Sequence, residues 1–275
     1  MKKSDSPIGI FDSGIGGLTV ANAVLNTLPK ESFIYFGDTA HLPYGDKSPD
    51  TIKRYCSVIT DFLLDNNVKL IIIACNSASS VAFEHVQNIA RKHDVQVINV
   101  IDPVVDYIHL HNINNVGVIG TRATIGSNIF PNKIHLLQPD TQVESLATPL
   151  LAPMIESGFI KGDISKAIIE SYLVEPVLNH IEALILACTH YPLIKKEIAQ
   201  FYMDNQRQVE ILATNEIVAQ YVKKVLEESD LISKKTNVQH QFFVSDYTDS
   251  FEETTKLFYK EEVILKHSRI FEGEV

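Results

Sequence analysis

The sequence predicts an α/β protein of two pseudo-symmetric, three-layer domains, each with a central, mostly parallel sheet, and with the site in the cleft between them. Two observations predict it. Apolar, β-branched runs alternate with amphipathic stretches four times in about the first hundred residues, the pattern of strand-helix units. The pattern then restarts after Ile101-Asp-Pro103: Val116-Gly-Val-Ile-Gly-Thr121 echoes Ile8-Gly-Ile-Phe-Asp12, and Ala187-Cys188 echoes Ala74-Cys75, at separations of 108 and 113 residues. Two landmarks repeated at nearly one offset read as an internal duplication, which puts equivalent strand ends in a related pair of domains. The expected division is 1–100 plus 213–275 for the first domain and 101–212 for the second.

Taken in order, the chain opens with a strand at 7–11 and a glycine-rich turn, Asp12-Ser-Gly-Ile-Gly-Gly-Leu-Thr19, which leads into a helix ending near Leu28-Pro29. The glycines let backbone approach a ligand closely. A dinucleotide fingerprint is excluded because its third glycine would fall at Thr19, and no lysine follows for a phosphate loop. A strand at 32–36, a loop at 37–45 and a long helix at 49–66 come next, then a buried strand at 69–74. That strand ends in Cys75, with Ser77 or Ser79 able to cap a helix starting near Ser80. A strand at 95–100 completes the first series.

In the second series a strand at 116–121 leads into a helix opened by Thr121-Arg-Ala-Thr-Ile-Gly-Ser127. A strand at 143–147 follows, then a stretch at 149–157 that holds Glu156, and a helix from Gly162-Asp163 to Asn179. The apolar run ending at Ala187-Cys188 is the strand equivalent to the one before Cys75, and Thr189, His190 and Pro192 open its helix. A strand at 210–212, a helix at 216–228 capped by Thr214, a polar surface connection at 231–237, a strand at 241–244 and a last helix finish the chain.

Bulk properties narrow the function classes. With 275 residues, 45% of them apolar, the chain has ample core for one or two domains. A net charge of −10 argues against nucleic acid or an anionic membrane as the partner. No run approaches the ~18 apolar residues of a membrane span, and Met1-Lys-Lys-Ser-Asp-Ser-Pro7 lacks a secretory core, so the expected address is the cytoplasm. Three cysteines do not make a disulfide framework, and Cys56, within a predicted helix, reads as a small core residue. The His109-x-His111 pair lacks a metal-ligand spacing, so no metal is expected.

What remains is two thiols at two strand ends. In open α/β sheets ligands collect at the carboxyl ends of strands, where helix amides point toward them. Asp12 and Ser13 add an acid and a hydroxyl at another such end, a combination suited to a small zwitterion. His190, two residues after Cys188, can raise the thiolate fraction, and thiolate is the form that takes a proton or attacks a carbonyl. Facing the two units across a cleft brings Cys75 and Cys188 to opposite sides of one ligand, a geometry for two-sided proton chemistry.

Five ordered motifs carry a resemblance that covers nearly the whole chain: Ile8-Gly-Ile-Phe-Asp-Ser-Gly-Ile-Gly-Gly17, Phe36-Gly-Asp-Thr-Ala-His-Leu-Pro-Tyr-Gly45, Ala74-Cys-Asn-Ser-Ala-Ser79, Gly120-Thr-Arg-Ala-Thr-Ile125 and Ala187-Cys-Thr-His-Tyr-Pro-Leu193. The chain resembles the cofactor-independent aspartate/glutamate racemases, and among them the bacterial glutamate racemases. The resemblance implies two α/β domains related by a pseudo-twofold axis, with no cofactor and no metal. It implies that Cys75 and Cys188 are the acid/base thiols, Cys75 acting on D-glutamate and Cys188 on L-glutamate. Asp12 and His190 would modulate them, and Glu156 would support the His190 side. Ser13, Tyr44, Gly45, Asn76, Ser77, Thr121, Thr124 and Thr189 would hold substrate together with Asp12 and His190.

It also implies a glutamate substrate, a D-glutamate product used in peptidoglycan synthesis, and a homodimer. Aspartate or broad-specificity racemases are the alternatives within the group, and some members bind DNA gyrase. Three departures stand out. Ser77 replaces the usual threonine and keeps the hydroxyl. Ala213-Thr-Asn-Glu216 replaces Asp-Ser-Gly-Glu, and because asparagine tolerates the left-handed conformation glycine would take, the helix start is expected to survive. Thr148 stands where a cysteine is common, which is expected to alter the pocket wall. The few residues ahead of the first strand lead to the expectation that activation by a cell-wall precursor, which an extension gives some relatives, is absent.

Overall fold

Runs rich in isoleucine, valine and phenylalanine become strands here because each is covered on both faces. The computed structural model describes residues 3–259 and 263–271. Its first sheet contains β1 (Ile8–Asp12), β2 (Phe33–Gly37), β3 (Leu70–Ile73) and β4 (Gln96–Asn99), and every residue of the first three is buried. β1 runs parallel to β2 on one side and β3 on the other, and β4 extends from β3. The second sheet repeats the plan with β5 (Asn115–Gly120), β6 (Gln142–Ala147), β7 (Ala183–Ala187) and β8 (Glu210–Ala213). Its order, β6-β5-β7-β8, matches β2-β1-β3-β4 strand for strand. The duplication read from the spacing is therefore a duplication of topology: β1 corresponds to β5, and the cysteine-bearing β3 to β7.

After β8 the chain returns to the first sheet, where β9 (His240–Val244) and β10 (Leu265–His267) add to the β2 edge, again in parallel. The short β10 went unread in the sequence because three residues, only Leu265 of them buried, carry no periodicity. Helices fill the layers: α1 (Leu18–Thr27), α2 (Pro49–Asp65), α3 (Asn76–Arg91), α4 (Asp102–Leu110), α5 (Arg122–Gly126), α6 (Ile129–Leu137), α7 (Leu151–Glu156), α8 (Asp163–Leu173), α9 (Lys195–Asp204), α10 (Thr214–Glu228) and α11 (Asp249–Phe258). One continuous apolar core joins the two halves, taking in Leu18 and Val20 of α1, Ile119, Leu151, Leu186 and Val218 of α10. The opposite faces of the sheets bury separate clusters, one under α2 and α3, the other under α4 and α6. No helix among the described residues is long and apolar enough to cross a membrane.

Several boundaries differ from the sequence reading, each for a local reason. α3 begins at Asn76, not near Ser80, because the Cys75 thiol itself caps it, accepting the Ala78 amide at 3.4 Å. α4 was not anticipated, although Pro103 stands in its first turn, where a missing N–H costs nothing. The predicted helix after Thr121 is two helices, divided by Asn128 at φ 52°. α8 stops at Leu173 rather than Asn179, since Pro176 cannot continue it and a short 3₁₀ turn, Pro176–Leu178, follows. Another 3₁₀ turn, Tyr191–Ile194, separates Cys188 from α9. α10 begins at Thr214 itself, without a side-chain cap, and Asn215 lies inside the helix rather than in the left-handed region.

The connection at 231–237, expected to be a polar surface stretch, is fastened to a buried ion pair. Lys69 at the start of β3 and Glu31 are both buried and meet at 2.6 Å. The remaining lysine donors reach the Ser4 and Leu231 carbonyls, both at 2.7 Å, and the second glutamate oxygen accepts the Ser233 amide at 2.8 Å. Every hydrogen of the ammonium is thereby used, the condition for keeping such a charge inside. The pair sits at the amino ends of the strands, away from the cysteines.

Candidate active site

The carboxyl ends of β1, β3, β5 and β7 converge on a cavity of about 260 Å³ lined by both Cys75 and Cys188. That volume suits one small polar molecule. A larger hollow of about 460 Å³ lies between α8 and α9 but holds no thiol and no histidine.

On the Cys75 side the sulfur sits where β3 gives way to α3, 5% exposed, and donates to the Ser13 hydroxyl at 3.6 Å. Burial, reinforced by the Asp12 charge, pushes this thiol up to about 12. Asp12 closes β1 with its carboxylate turned into the glycine loop, where one oxygen accepts the Gly14 amide at 3.1 Å and the Gly17 amide at 3.0 Å. Its other oxygen is buried and has no partner among the described residues. Burial raises the Asp12 carboxyl above the ordinary range, against the pull of the His190 charge and the loop amides. Asn76 begins α3 on the cavity wall with both side-chain amide atoms buried and unpartnered among the described residues. A buried amide with no bond to make is costly, so this side chain is suited to a ligand that offers it an acceptor and a donor.

On the Cys188 side a relay is already assembled. His190 Nδ1 lies 3.6 Å from the Cys188 sulfur and 3.4 Å from the Thr189 hydroxyl, while Nε2 meets the Glu156 carboxylate at 2.8 Å. Burial alone would pull the imidazole down, but its hydrogen bonds to Cys188 and Glu156 and their charges win and push it up to about 10. As the cation it donates from both nitrogens at once. Two neighbours fix the ring plane. Phe258, at the end of α11, packs edge-on with centroids 5.1 Å apart, and a Cβ at Gly16 would strike the ring and the Thr189 hydroxyl. The Thr19 hydroxyl donates to the Thr189 carbonyl at 2.8 Å, tying α1 to this strand end.

The remaining residues named from sequence fall into two groups. Ser13, Tyr44, Gly45, Asn76, Ser77, Thr121, Glu156, Thr189 and His190 line the cavity, whereas Asp12 and Thr124 stand behind it. The Ser77 hydroxyl meets those of Thr121 at 2.9 Å and Thr124 at 3.4 Å, so Thr124 acts on the wall through its neighbours. Tyr44 is buried and gives its hydroxyl to Asp38 at 2.5 Å, so it contributes wall rather than a free donor. A Cβ on Gly45 would come within 2.9 Å of Thr121, which is why loop and strand end can close together there. Thr148 does not form the pocket wall: it is fully buried behind the cavity, bonded to the Tyr191 hydroxyl at 2.8 Å.

Sequence reasoning missed Asp38, Tyr35 and Phe258. Asp38 is a buried carboxylate that receives Tyr44, the Ser245 hydroxyl at 2.6 Å and His41 at 2.8 Å, and so ties the pocket loop to the segment after β9. Asp38 lies within one of the quoted motifs, and that was its only signal. For Phe258, some seventy residues beyond His190, no local pattern could have revealed the contact. No cluster of three or more metal-ligating side chains occurs among the described residues.

Comparison with known proteins gives a consistent set of relatives. The family model described as Asp/Glu/Hydantoin racemase matches residues 17–222. A glutamate racemase of Chlorobium phaeobacteroides is 39% identical over 92% of this chain and 92% of its own. One of Chlorobaculum parvum is 41% identical over 93% of each. Among solved structures, glutamate racemase from Francisella tularensis in complex with D-glutamate superposes with a TM-score of 0.90 at 38% identity, covering 97% of this chain and 98% of that one.

Proposed function

The chain belongs to the Asp/Glu/Hydantoin racemase family, and from that premise we infer that its cavity inverts the α-carbon of glutamate, one thiol removing the α-proton and a second thiol delivering another proton to the opposite face. It is an amino-acid racemase that interconverts L- and D-glutamate. The observation that carries the mechanism is the pair Cys75 and Cys188 on one cavity, at equivalent strand ends, each with its own hydrogen-bond partner. Inversion needs one group to take the α-proton from one face and another to return a proton to the opposite face.

In the L-to-D direction Cys188 as thiolate removes the α-proton, and the His190 imidazolium stabilises negative charge on that sulfur. Cys75, which burial keeps as the thiol, delivers a proton to the other face. The reverse direction exchanges the two roles, and the substrate ammonium arriving beside Asp12 and Cys75 supplies the positive charge that favours the Cys75 thiolate. Carbanionic charge spreads into the α-carboxylate, where the Asn76 amide, the Thr189 hydroxyl and the first amides of α3 are the available donors. Residues 1–100 plus 213–275 and 101–212 act as the two halves that carry one thiol each. The D-glutamate formed would serve peptidoglycan synthesis.

Glutamate is favoured over aspartate by the row of hydroxyls from Ser77 to Thr121 along the wall, which offers a more distant carboxylate its own donors. The expected result is a kcat/KM for D-glutamate more than about 100-fold above that for D-aspartate, measured by circular dichroism of the product without added cofactor. Equal rates would assign the chain a broad amino-acid specificity.

His190 also makes stability depend on pH with a defined sign. Its folded value of about 10 lies above the ordinary 6.5, so the folded protein binds this proton more tightly than the unfolded chain. The contribution is complete below pH 6.5 and is lost as pH rises through 10. Melting temperature is therefore expected to fall over that interval more steeply in the native protein than in His190→Gln. Parallel curves would remove the imidazolium from the account.

A further inference from the structure

The Asp12 carboxylate is held by the glycine loop, and the loop in turn is held by a side chain the reaction does not otherwise use. Tyr35 stands on β2, fully buried, with its hydroxyl donating to the Gly14 carbonyl at 2.8 Å. Gly14 is the residue whose own amide donates to Asp12 at 3.1 Å. The same peptide segment is thus gripped from both sides, by a phenol at its carbonyl and a carboxylate at its amide. Space around the phenol is shaped for this contact. A Cβ on Gly17 would come within 2.9 Å of the Tyr35 oxygen, and one on Gly37 would collide with the Gly14 carbonyl. Ser13, between Asp12 and Gly14, accepts the Cys75 thiol, so the position of the loop is the position of that sulfur's partner.

We propose that Tyr35 is a positioning residue for the Cys75 half of the reaction: its bond to the Gly14 carbonyl fixes the loop that sets Asp12 and Ser13 against the thiol. The inference rests on the two-thiol reading above. Burial, together with the charges of Asp12 and Cys75, raises the phenol well above its ordinary value, so Tyr35 stays protonated and acts as a donor at every working pH. Without its hydroxyl, a buried carbonyl loses its side-chain donor and the loop relaxes to find another. Displacements of this kind are felt as rate, because proton transfer between thiol and α-carbon requires near-contact geometry.

The test is Tyr35→Phe, which keeps the ring and removes one oxygen. Primary isotope effects on kcat/KM are measured with α-deuterated D-glutamate and α-deuterated L-glutamate. Since the enantiomers have equal free energy, kcat/KM must fall equally in both directions, by about two- to tenfold if a buried bond of ordinary worth is lost. The isotope effects carry the distinction. Slowing only the Cys75 step makes return of the intermediate rarer for the enantiomer that Cys75 deprotonates, so its isotope effect rises. For the other enantiomer the intermediate returns more often, and its effect falls toward unity. Opposite changes in the two isotope effects are the expected result. An unchanged rate, or a loss with both effects moving together, overturns the proposal.

Tyr202→Phe serves as the control. It removes another buried phenol oxygen, one with no partner among the described residues and outside the cavity lining, and should leave both isotope effects at their native values. A native protein that exchanged no α-proton at all would instead sink the two-thiol reading, which keeps the two failures apart.

Discussion

Replacing Cys75 or Cys188 by serine is expected to lower kcat for glutamate racemisation by at least about 10³-fold in both directions, with little change in melting temperature. Serine preserves size and the hydrogen-bonding element, so folding survives. At position 75 it is also a good helix cap and can keep the bond that the thiol makes to the Ala78 amide. What is lost is a thiol, which gives up its proton far more readily than the serine hydroxyl that replaces it. In the proposed mechanism each turnover uses both sulfurs, one as acceptor and one as donor, so removing either stops the cycle. The double variant should be no slower than the worse single variant by anything near the product of the two losses, because the pair acts as a unit. Rates followed by optical rotation or circular dichroism decide it. A serine variant within about tenfold of the native rate would contradict the assignment of that thiol.

The largest expected effect on stability lies far from the thiols. Lys69→Met should cost about 3–5 kcal/mol, because it leaves the Glu31 carboxylate buried without its cation. Three segments lose their common donor at once: the chain near Ser4, the turn after α1, and the connection after α10. For a chain of this size the melting temperature should drop by roughly 10 °C. Folded protein at room temperature should keep its native kcat/KM, since the pair lies at the opposite ends of the strands from the cavity. Replacing both partners, Lys69→Met with Glu31→Leu, should recover part of the loss, because no charge is then stranded. Chemical denaturation of the single and double variants reads both outcomes. A Lys69→Met protein as stable as the native one would mean that water reaches Glu31.

These effects differ in how readable they were beforehand. Cys75 and Cys188 stand out in sequence because an apolar run that ends abruptly in a thiol is a local pattern, and its repetition exposes the paired strands. His190 is legible for the same reason, lying two residues from its partner. Tyr35 looks like any strand tyrosine, since the loop it grips is set by chain folding, and the Phe258 contact depends on where α11 returns. The Lys69–Glu31 pair was invisible because each residue alone reads as surface. The helix start expected to survive at Ala213-Thr-Asn-Glu216 does so without any left-handed residue, because α10 starts early enough to take in Asn215 as ordinary helix. The first turn of α3 was misplaced because serine caps are expected and a thiol cap is not.

The most direct measurement follows racemisation of L-glutamate in heavy water, without added cofactor, and reads deuterium at the α-carbon of each enantiomer at early conversion. Two thiols on opposite faces require that newly formed D-glutamate carry solvent deuterium while the remaining L-glutamate keeps its proton, because each sulfur meets only one face. The account predicts that result. Deuterium entering recovered L-glutamate as fast as D-glutamate appears would contradict it, since one base would then be serving both faces.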